Sequence, residues 1–90
     1  MKLNKVWAPE VWEDYVASET QDKKTLKRIN ALVKDIERNG CAQGIGKPEQ
    51  LRGDLSGWWS RRIDSKNRLV YRIVGIDLEI AQCQSHYGNR

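Results

Sequence analysis

Phenylalanine is absent from this 90-residue chain, histidine occurs once, and cysteine occurs twice. Without phenylalanine, four Trp and three Tyr must supply the bulky packing, enough for one modest core and not for two. So small a core leaves a thin stability margin, which a homodimer or a tightly held partner would widen. Cys41 and Cys83 lie far apart with no second pair at metal spacing, so the chain offers no zinc set. Two idle thiols are the leading reading of them and a disulfide the lesser one. No metal or cofactor is expected. No apolar run reaches the length of a membrane span, and Met1 to Trp7 lacks the pattern of a signal peptide. The expected location is therefore the cytoplasm, with no membrane contact. No linker, low-complexity stretch or repeat divides the sequence, which reads as a single domain over residues 1–90.

Acidic residues are also in the minority. Sixteen Lys+Arg against twelve Asp+Glu give a formal charge of +4. Such a balance favours a polyanionic partner, because each Lys or Arg near a phosphate releases condensed counterions. A merely soluble basic protein would carry the same net charge, so the position of the cations has to decide.

The apolar spacing places them. Lys2 to Trp7 reads as a short strand. Pro9 suits the first turn of a helix with Val11, Trp12, Tyr15 and Val16 on one face, and Ser18 to Gln21 end it. A second helix from Asp22 to Asn39 repeats Leu26, Ile29, Leu32, Val33 and Ile36 at three and four residues, and Gly40 stops it. Its other faces carry Lys23, Lys24, Lys27, Arg28, Lys34 and Arg38, either a solvated surface or one that tracks phosphates. Gly40 to Gly53 is irregular. Trp58 to Ile63, Arg68 to Val74 and Leu78 to His86 then read as a three-stranded antiparallel meander. The expected fold is α+β: an N-terminal strand and two helices packed on one face of an antiparallel sheet.

Hairpin geometry fixes which side chains share a face. Asp64 to Arg68 suits a three-residue loop with Asn67 at positive φ, which sets Asp64 opposite Arg68 and Arg62 opposite Val70. Alternation then gathers Arg62, Arg68 and Arg72 on one face and Ile63, Leu69, Tyr71 and Ile73 on the other, under the helices. A three-residue loop at Gly75 to Asp77 places Leu78, Ile80, Gln82, Gln84 and His86 on the arginine face too. Val70, Val74, Leu78 and Ile80 would then need a covering loop or second subunit.

Taken one at a time, the polar candidates are ordinary. His86 alone is a plain polar residue near a C-terminus, and Glu49 alone an exposed carboxylate in a glycine-rich loop. Together they supply a chemistry. Metal-free RNA cleavage needs a base for the 2′-hydroxyl, cations around the phosphorane and an acid for the leaving 5′-oxygen. Glu49, Arg62 with Arg68, and His86 are groups of those types, with Lys47 and Arg52 as neighbouring cations. Trp58 and Tyr87 could stack on bases, whereas Trp59, in phase with Ile63, belongs to the core. Gly44-Ile45-Gly46-Lys47 lacks P-loop spacing and does not signal nucleotide binding.

This ordered set resembles the YoeB/Txe family of toxins within the RelE superfamily. The matching stretches are Trp12 to Tyr15, Asp22 to Lys24, Lys27 to Asn30, Gly44 to Glu49, Leu55 to Gly57, Trp59 to Ile63, Arg68 to Tyr71 and His86-Tyr87. The resemblance implies a RelE-like fold and a ribosome-dependent endoribonuclease that cuts mRNA in the ribosomal A site, contacting ribosomal RNA there. It implies Glu49 as general base, His86 as general acid, and Arg62 and Arg68 on the phosphate. Lys47 and Arg52 would be supporting cations, and Tyr87 would position the RNA. It also implies a homodimer and a YefM-like antitoxin, through which alone operator DNA would be bound. Gly40-Cys41, Arg52 and the tail Gly88-Asn89-Arg90 depart from the usual pattern. Two rivals share the basic surface. A non-catalytic RNA- or ribosome-binding module has no need of Glu49 and His86, and a ParE-like toxin would act on DNA gyrase.

Overall fold

The computed structural model describes residues 2–83, the side chains of residues 18–21 excepted. The elements run β1 (Asn4–Trp7), α1 (Pro9–Gln21), α2 (Lys23–Asn39), β2 (Glu49–Gln50), a single 3₁₀ turn (Gly53–Leu55), β3 (Trp59–Arg62), β4 (Arg68–Val74) and β5 (Asp77–Gln82). The strands form one five-stranded sheet in the order β1-β5-β4-β3-β2. All neighbours are antiparallel except β1, which lies parallel to β5. The helical hairpin between them carries the chain back to the starting end, so β1 joins parallel and the sheet is mixed.

Each helix has a local cause. Pro9 opens α1 where its missing N–H would have no partner. Ser18 to Gln21 do not end α1. It continues to Gln21, and one residue, Asp22, separates it from α2. Asp22 stops one helix and starts the next because its carboxylate caps the amide of Thr25 at 3.0 Å and takes the Thr25 hydroxyl at 2.7 Å. Of the expected apolar stripe of α2, Ile29, Leu32, Val33 and Ile36 are buried against the sheet, and Leu26 is half-buried. Gly40 closes the helix in a left-handed conformation, its amide reaching the Ile36 carbonyl at 2.8 Å. The stripe of α1 divides. Val11 is buried, while Trp12 and Val16 are exposed. Trp12 instead stacks with Tyr15 and meets Trp7 edge-on, where β1 runs beside the helix.

Both helices cover the same side of the sheet. Val11, Ile29, Leu32, Val33 and Ile36 pack there on Leu69, Tyr71, Leu78 and Ile80. At roughly 1.5–3 kcal/mol for each fully buried aliphatic side chain, this layer supplies most of the favourable term in folding. Among the described residues, no α-helix covers the other side of the sheet.

The hairpins differ from expectation in register. Arg62 pairs with Arg68, not with Val70, because the Asn67 carbonyl accepts from both the Ile63 and Asp64 amides and the ladder begins only beyond them. Asp64 caps the turn by accepting from the amides of Lys66 and Asn67, and Asn67 keeps a negative φ. The slip is two residues, so the faces stay as expected: Arg62 and Arg68 on one side, Leu69 and Tyr71 on the other. The second loop is two residues, Gly75-Ile76, with Val74 opposite Asp77. Gly75, at φ 62, takes the first central position of a tight hairpin turn that favours glycine. That one-residue change overturns the expected placement of Leu78 and Ile80, which point under the helices and are fully buried. A β-bulge then restores the phase. Tyr71 pairs with Ile80 and Val70 with Gln82, so Ala81 is skipped and Gln82 joins the arginine face.

Candidate active site

The helix-free side of the sheet is where the polar candidates meet. β2 is two residues long and sets Glu49 opposite Ser60 of β3. Ser60 shares that face with Arg62 by alternation, and Arg62 lies opposite Arg68. The Arg68 guanidinium spans this corner. Its Nη2 donates to Glu49 Oε1 at 2.8 Å, and its Nη2 and Nε both donate to Ser60 Oγ, at 3.0 and 3.2 Å. The Glu49 side chain remains 59% exposed and the Arg68 side chain 20%. The carboxylate therefore lies within reach of a ligand, while its partner is held from below by the buried Ser60 hydroxyl.

Next along the face, the Arg72 guanidinium lies 4.3 Å from the centroid of the Trp58 ring and donates through Nε to Glu79 Oε1 at 2.7 Å. Each carboxylate of this surface is thus matched to one arginine. Arg62 is exposed and has no ion-pair partner among the described residues. Lys47 and Arg52, also exposed, flank β2 and likewise have none among the described residues. Lys47 has a φ of 52, an uncommon conformation for a lysine and a strained one directly before proline. The electrostatic result is an excess of cations around one reachable carboxylate, a surface suited to a phosphodiester.

Of the residues read from the sequence as a site, Glu49, Arg62 and Arg68 come together on one face, with Trp58 further along it beneath Arg72. His86 and Tyr87 lie outside the described residues, as do Gln84 and the tail Gly88-Asn89-Arg90. Arg72 belongs to the face, as alternation placed it, though its pairing with Glu79 was not foreseen; Ser60 and Glu79 were missed as contributors. The pairing Arg72–Glu79 depends on the two-residue turn at Gly75, and Ser60, although inside the matching stretch Trp59 to Ile63, was given no role of its own. Among the described residues, no group of three His, Cys, Asp or Glu side chains is placed to hold a metal ion. No helix among them is long and apolar enough to cross a membrane. Both cysteines are free, Cys83 buried and Cys41 partly so.

Two helices on one side of a mixed five-stranded sheet are the fold of the YoeB- and RelE-like toxins. A model of the YoeB-like toxins of bacterial type II toxin–antitoxin systems matches residues 7–87. The chain belongs to that family, in agreement with the resemblance read from its sequence. Toxin YoeB of Escherichia coli is 47% identical over 87 residues, covering 97% of this chain and 100% of the relative. Toxin YoeB of Synechocystis is 55% identical over 76 residues, covering 84% and 87% respectively. Among solved structures, the heterotetrameric YoeB–YefM complex of Staphylococcus aureus aligns with a TM-score of 0.90 at 46% identity, over 97% of this chain and 100% of that one. The YoeB dimer of the same organism aligns equally well, with a TM-score of 0.90. YafQ of Escherichia coli shares the fold alone, with a TM-score of 0.68 at 14% identity.

Proposed function

We propose that the chain is a ribosome-dependent endoribonuclease that cleaves mRNA in the ribosomal A site without a metal and so arrests translation. The observation that carries this reading is the reachable Glu49 carboxylate held at 2.8 Å from Arg68, with Arg62 opposite Arg68 on the same strand pair. Glu49 removes the proton of the 2′-hydroxyl as the 2′-oxygen attacks phosphorus. Arg62 and Arg68 bear the charge that builds on the phosphorane oxygens. The bond from phosphorus to the 5′-oxygen breaks, His86 protonates that oxygen, and the products are a 2′,3′-cyclic phosphate and a 5′-hydroxyl. An arriving phosphate competes with Glu49 for the Arg68 guanidinium, and this exchange releases the carboxylate to act as base. Lys47 and Arg52 support the phosphate backbone, and Trp58 and Tyr87 hold the bases. Ribosomal RNA supplies the remaining contacts, so ribosome binding weakens steeply with added salt.

The partners follow from the relatives. A YefM-like antitoxin neutralises the toxin, and operator DNA is bound only through it. A homodimer is the working unit, in keeping with the small core and with the dimer solved for the Staphylococcus relative. Primer extension on translated mRNA tests the activity. Glu49→Ala and His86→Ala are each expected to lower A-site cleavage by about 10²-fold or more, the usual scale for losing an acid or a base. Full cleavage by both variants would leave a non-catalytic ribosome binder. DNA damage without cleaved mRNA would point instead to gyrase.

A further inference from the structure

Arg61 stands between two residues of the open face, Ser60 and Arg62, and points to the opposite side of the sheet. Its side chain is completely buried. All five of its guanidinium N–H groups are used. Nε donates to the Tyr71 hydroxyl at 2.9 Å, and Nη1 to Asp35 Oδ2 at 2.5 Å and to the Ile45 carbonyl at 3.1 Å. Nη2 donates to the carbonyls of Gly40 at 2.8 Å and Gln43 at 2.6 Å. The Tyr71 hydroxyl passes the chain on to the Cys41 carbonyl at 2.7 Å, and Asp35 Oδ2 also accepts from the Ile45 amide at 3.1 Å. The segment Gly40–Gly46 is therefore wrapped around one cation, with its last carbonyl bound by the Arg62 amide at 2.7 Å.

Two glycines make that wrap possible. A Cβ on Gly44, at φ 123, would fall 1.7 Å from Asp35 Oδ2, and one on Gly46, at φ 83, would fall 2.8 Å from Leu32 Cδ2. The glycine-rich stretch thus lies against an ion pair whose arginine is fully buried and whose aspartate is largely so. Such a pair adds little stability over an apolar replacement, but each of its hydrogen bonds is costly to leave unmade, so it enforces one loop geometry. Glu49 follows Gly46 after Lys47, bent at φ 52, and Pro48, whose φ is fixed by its ring. Little backbone freedom separates the anchored segment from the carboxylate.

We infer that Arg61 is a positioning residue of the nuclease: it fixes Gly40–Gly46 and, through that segment, the place of the Glu49 carboxylate at the scissile phosphate. This rests on the reading of Glu49 as base. One strand then sets both halves of the site, its outward residues holding the phosphate and its inward arginine holding the base.

The test measures cleavage on programmed ribosomes by the purified full chain for Arg61→Lys, Glu49→Ala and the double variant. Lysine keeps the charge but loses the planar fork that reaches several loop carbonyls at once. Arg61→Lys is expected to lower kcat by about tenfold or more, the scale of a base displaced by a fraction of an ångström, with KM for programmed ribosomes within about twofold. In the Glu49→Ala background, Arg61→Lys is expected to cost nothing further. Tyr71→Phe, which removes only the hydroxyl between Arg61 and Cys41, is expected to lower kcat in the same direction by less, and decides the matter if Arg61→Lys does not fold. Wild-type kcat in these variants, or losses that multiply with Glu49→Ala, overturn the inference and leave the base assignment standing. Wild-type cleavage by Glu49→Ala alone overturns that assignment, and the inference with it.

Discussion

Arg62 and Arg68 face each other as a directly paired couple across β3 and β4, and Glu49 neutralises only Arg68. Like charges at paired ladder positions cost roughly 0.2–1 kcal/mol. The free protein bears this small penalty, and a phosphate seated between the two guanidiniums would remove it. Arg62→Ala is therefore expected to leave the thermal midpoint unchanged or slightly raised. The same variant should lower A-site cleavage by about 10²-fold, as expected for a lost transition-state cation. Melting curves run beside primer extension check both halves. A lowered midpoint with intact cleavage would make Arg62 a stabilising residue and not a phosphate ligand.

Acid should loosen the fold through Asp35 and Glu37. The Arg61 hydrogen bond holds the Asp35 carboxyl below the usual carboxylate range; burial opposes it and the Ile45 amide assists. Glu37 is lowered in the same sense by its hydrogen bond from Lys5 and then by the Leu3 amide. With both values depressed in the folded state, the unfolded chain takes up protons first as pH drops. The stabilisation is fully present above the ordinary carboxylate range and is lost as pH falls from about 5 through 4 and below. Urea midpoints are expected to be level between pH 7 and roughly 5.5 and to decline beneath that. Asp35→Asn should make the decline shallower. A midpoint that stays level to pH 3 would show that neither ion pair contributes.

Cys83 should be chemically silent in the folded protein. Burial pushes its thiol up to about 12, and the sulfur rests 3.8 Å from the Val11 carbonyl. Reactivity follows the thiolate fraction and access, and both are minimal here. Iodoacetamide at pH 8 should leave Cys83 unlabelled in the native chain and alkylate both cysteines in urea, as read by peptide mass spectrometry. Rapid native labelling of Cys83 would mean that the layer between α1 and β5 opens readily.

The sequence made α2 legible because its apolar residues recur with one period over four turns and its ends carry strong signals, Asp22 and Gly40. It also made the arginine face legible, since β4 has its expected bounds and an even slip of register moves no side chain to the other side. The facing of Leu78 and Ile80 was not legible. One residue more or less in the Gly75 turn inverts β5, and turn chemistry alone did not distinguish the two lengths. Arg61 stayed hidden for a related reason. Two adjacent arginines look alike in a sequence, and only the partly buried Asp35 shows which of them turns inward. The glycines at 44 and 46, set aside as a poor phosphate cradle, were the trace of that burial, because only a backbone without side chains could lie so near the Asp35–Arg61 pair and Leu32. Spacing put Trp12 and Val16 on one helical face with Val11, yet only Val11 of the three is buried.

The skipped Ala81 divides the labour of β5. Ahead of it, Leu78 and Ile80 serve the layer under the helices; past it, Gln82 pairs with Val70 on the arginine face, where both are buried, and the next residue, Cys83, returns under the helices. One extra amino acid thus lets a single strand supply apolar side chains to the helical layer at one end and a buried amide to the arginine side of the sheet at the other. Deleting Ala81 would exchange those places, turning the amide of Gln82 toward the helical layer and the thiol of Cys83 toward the arginine side of the sheet.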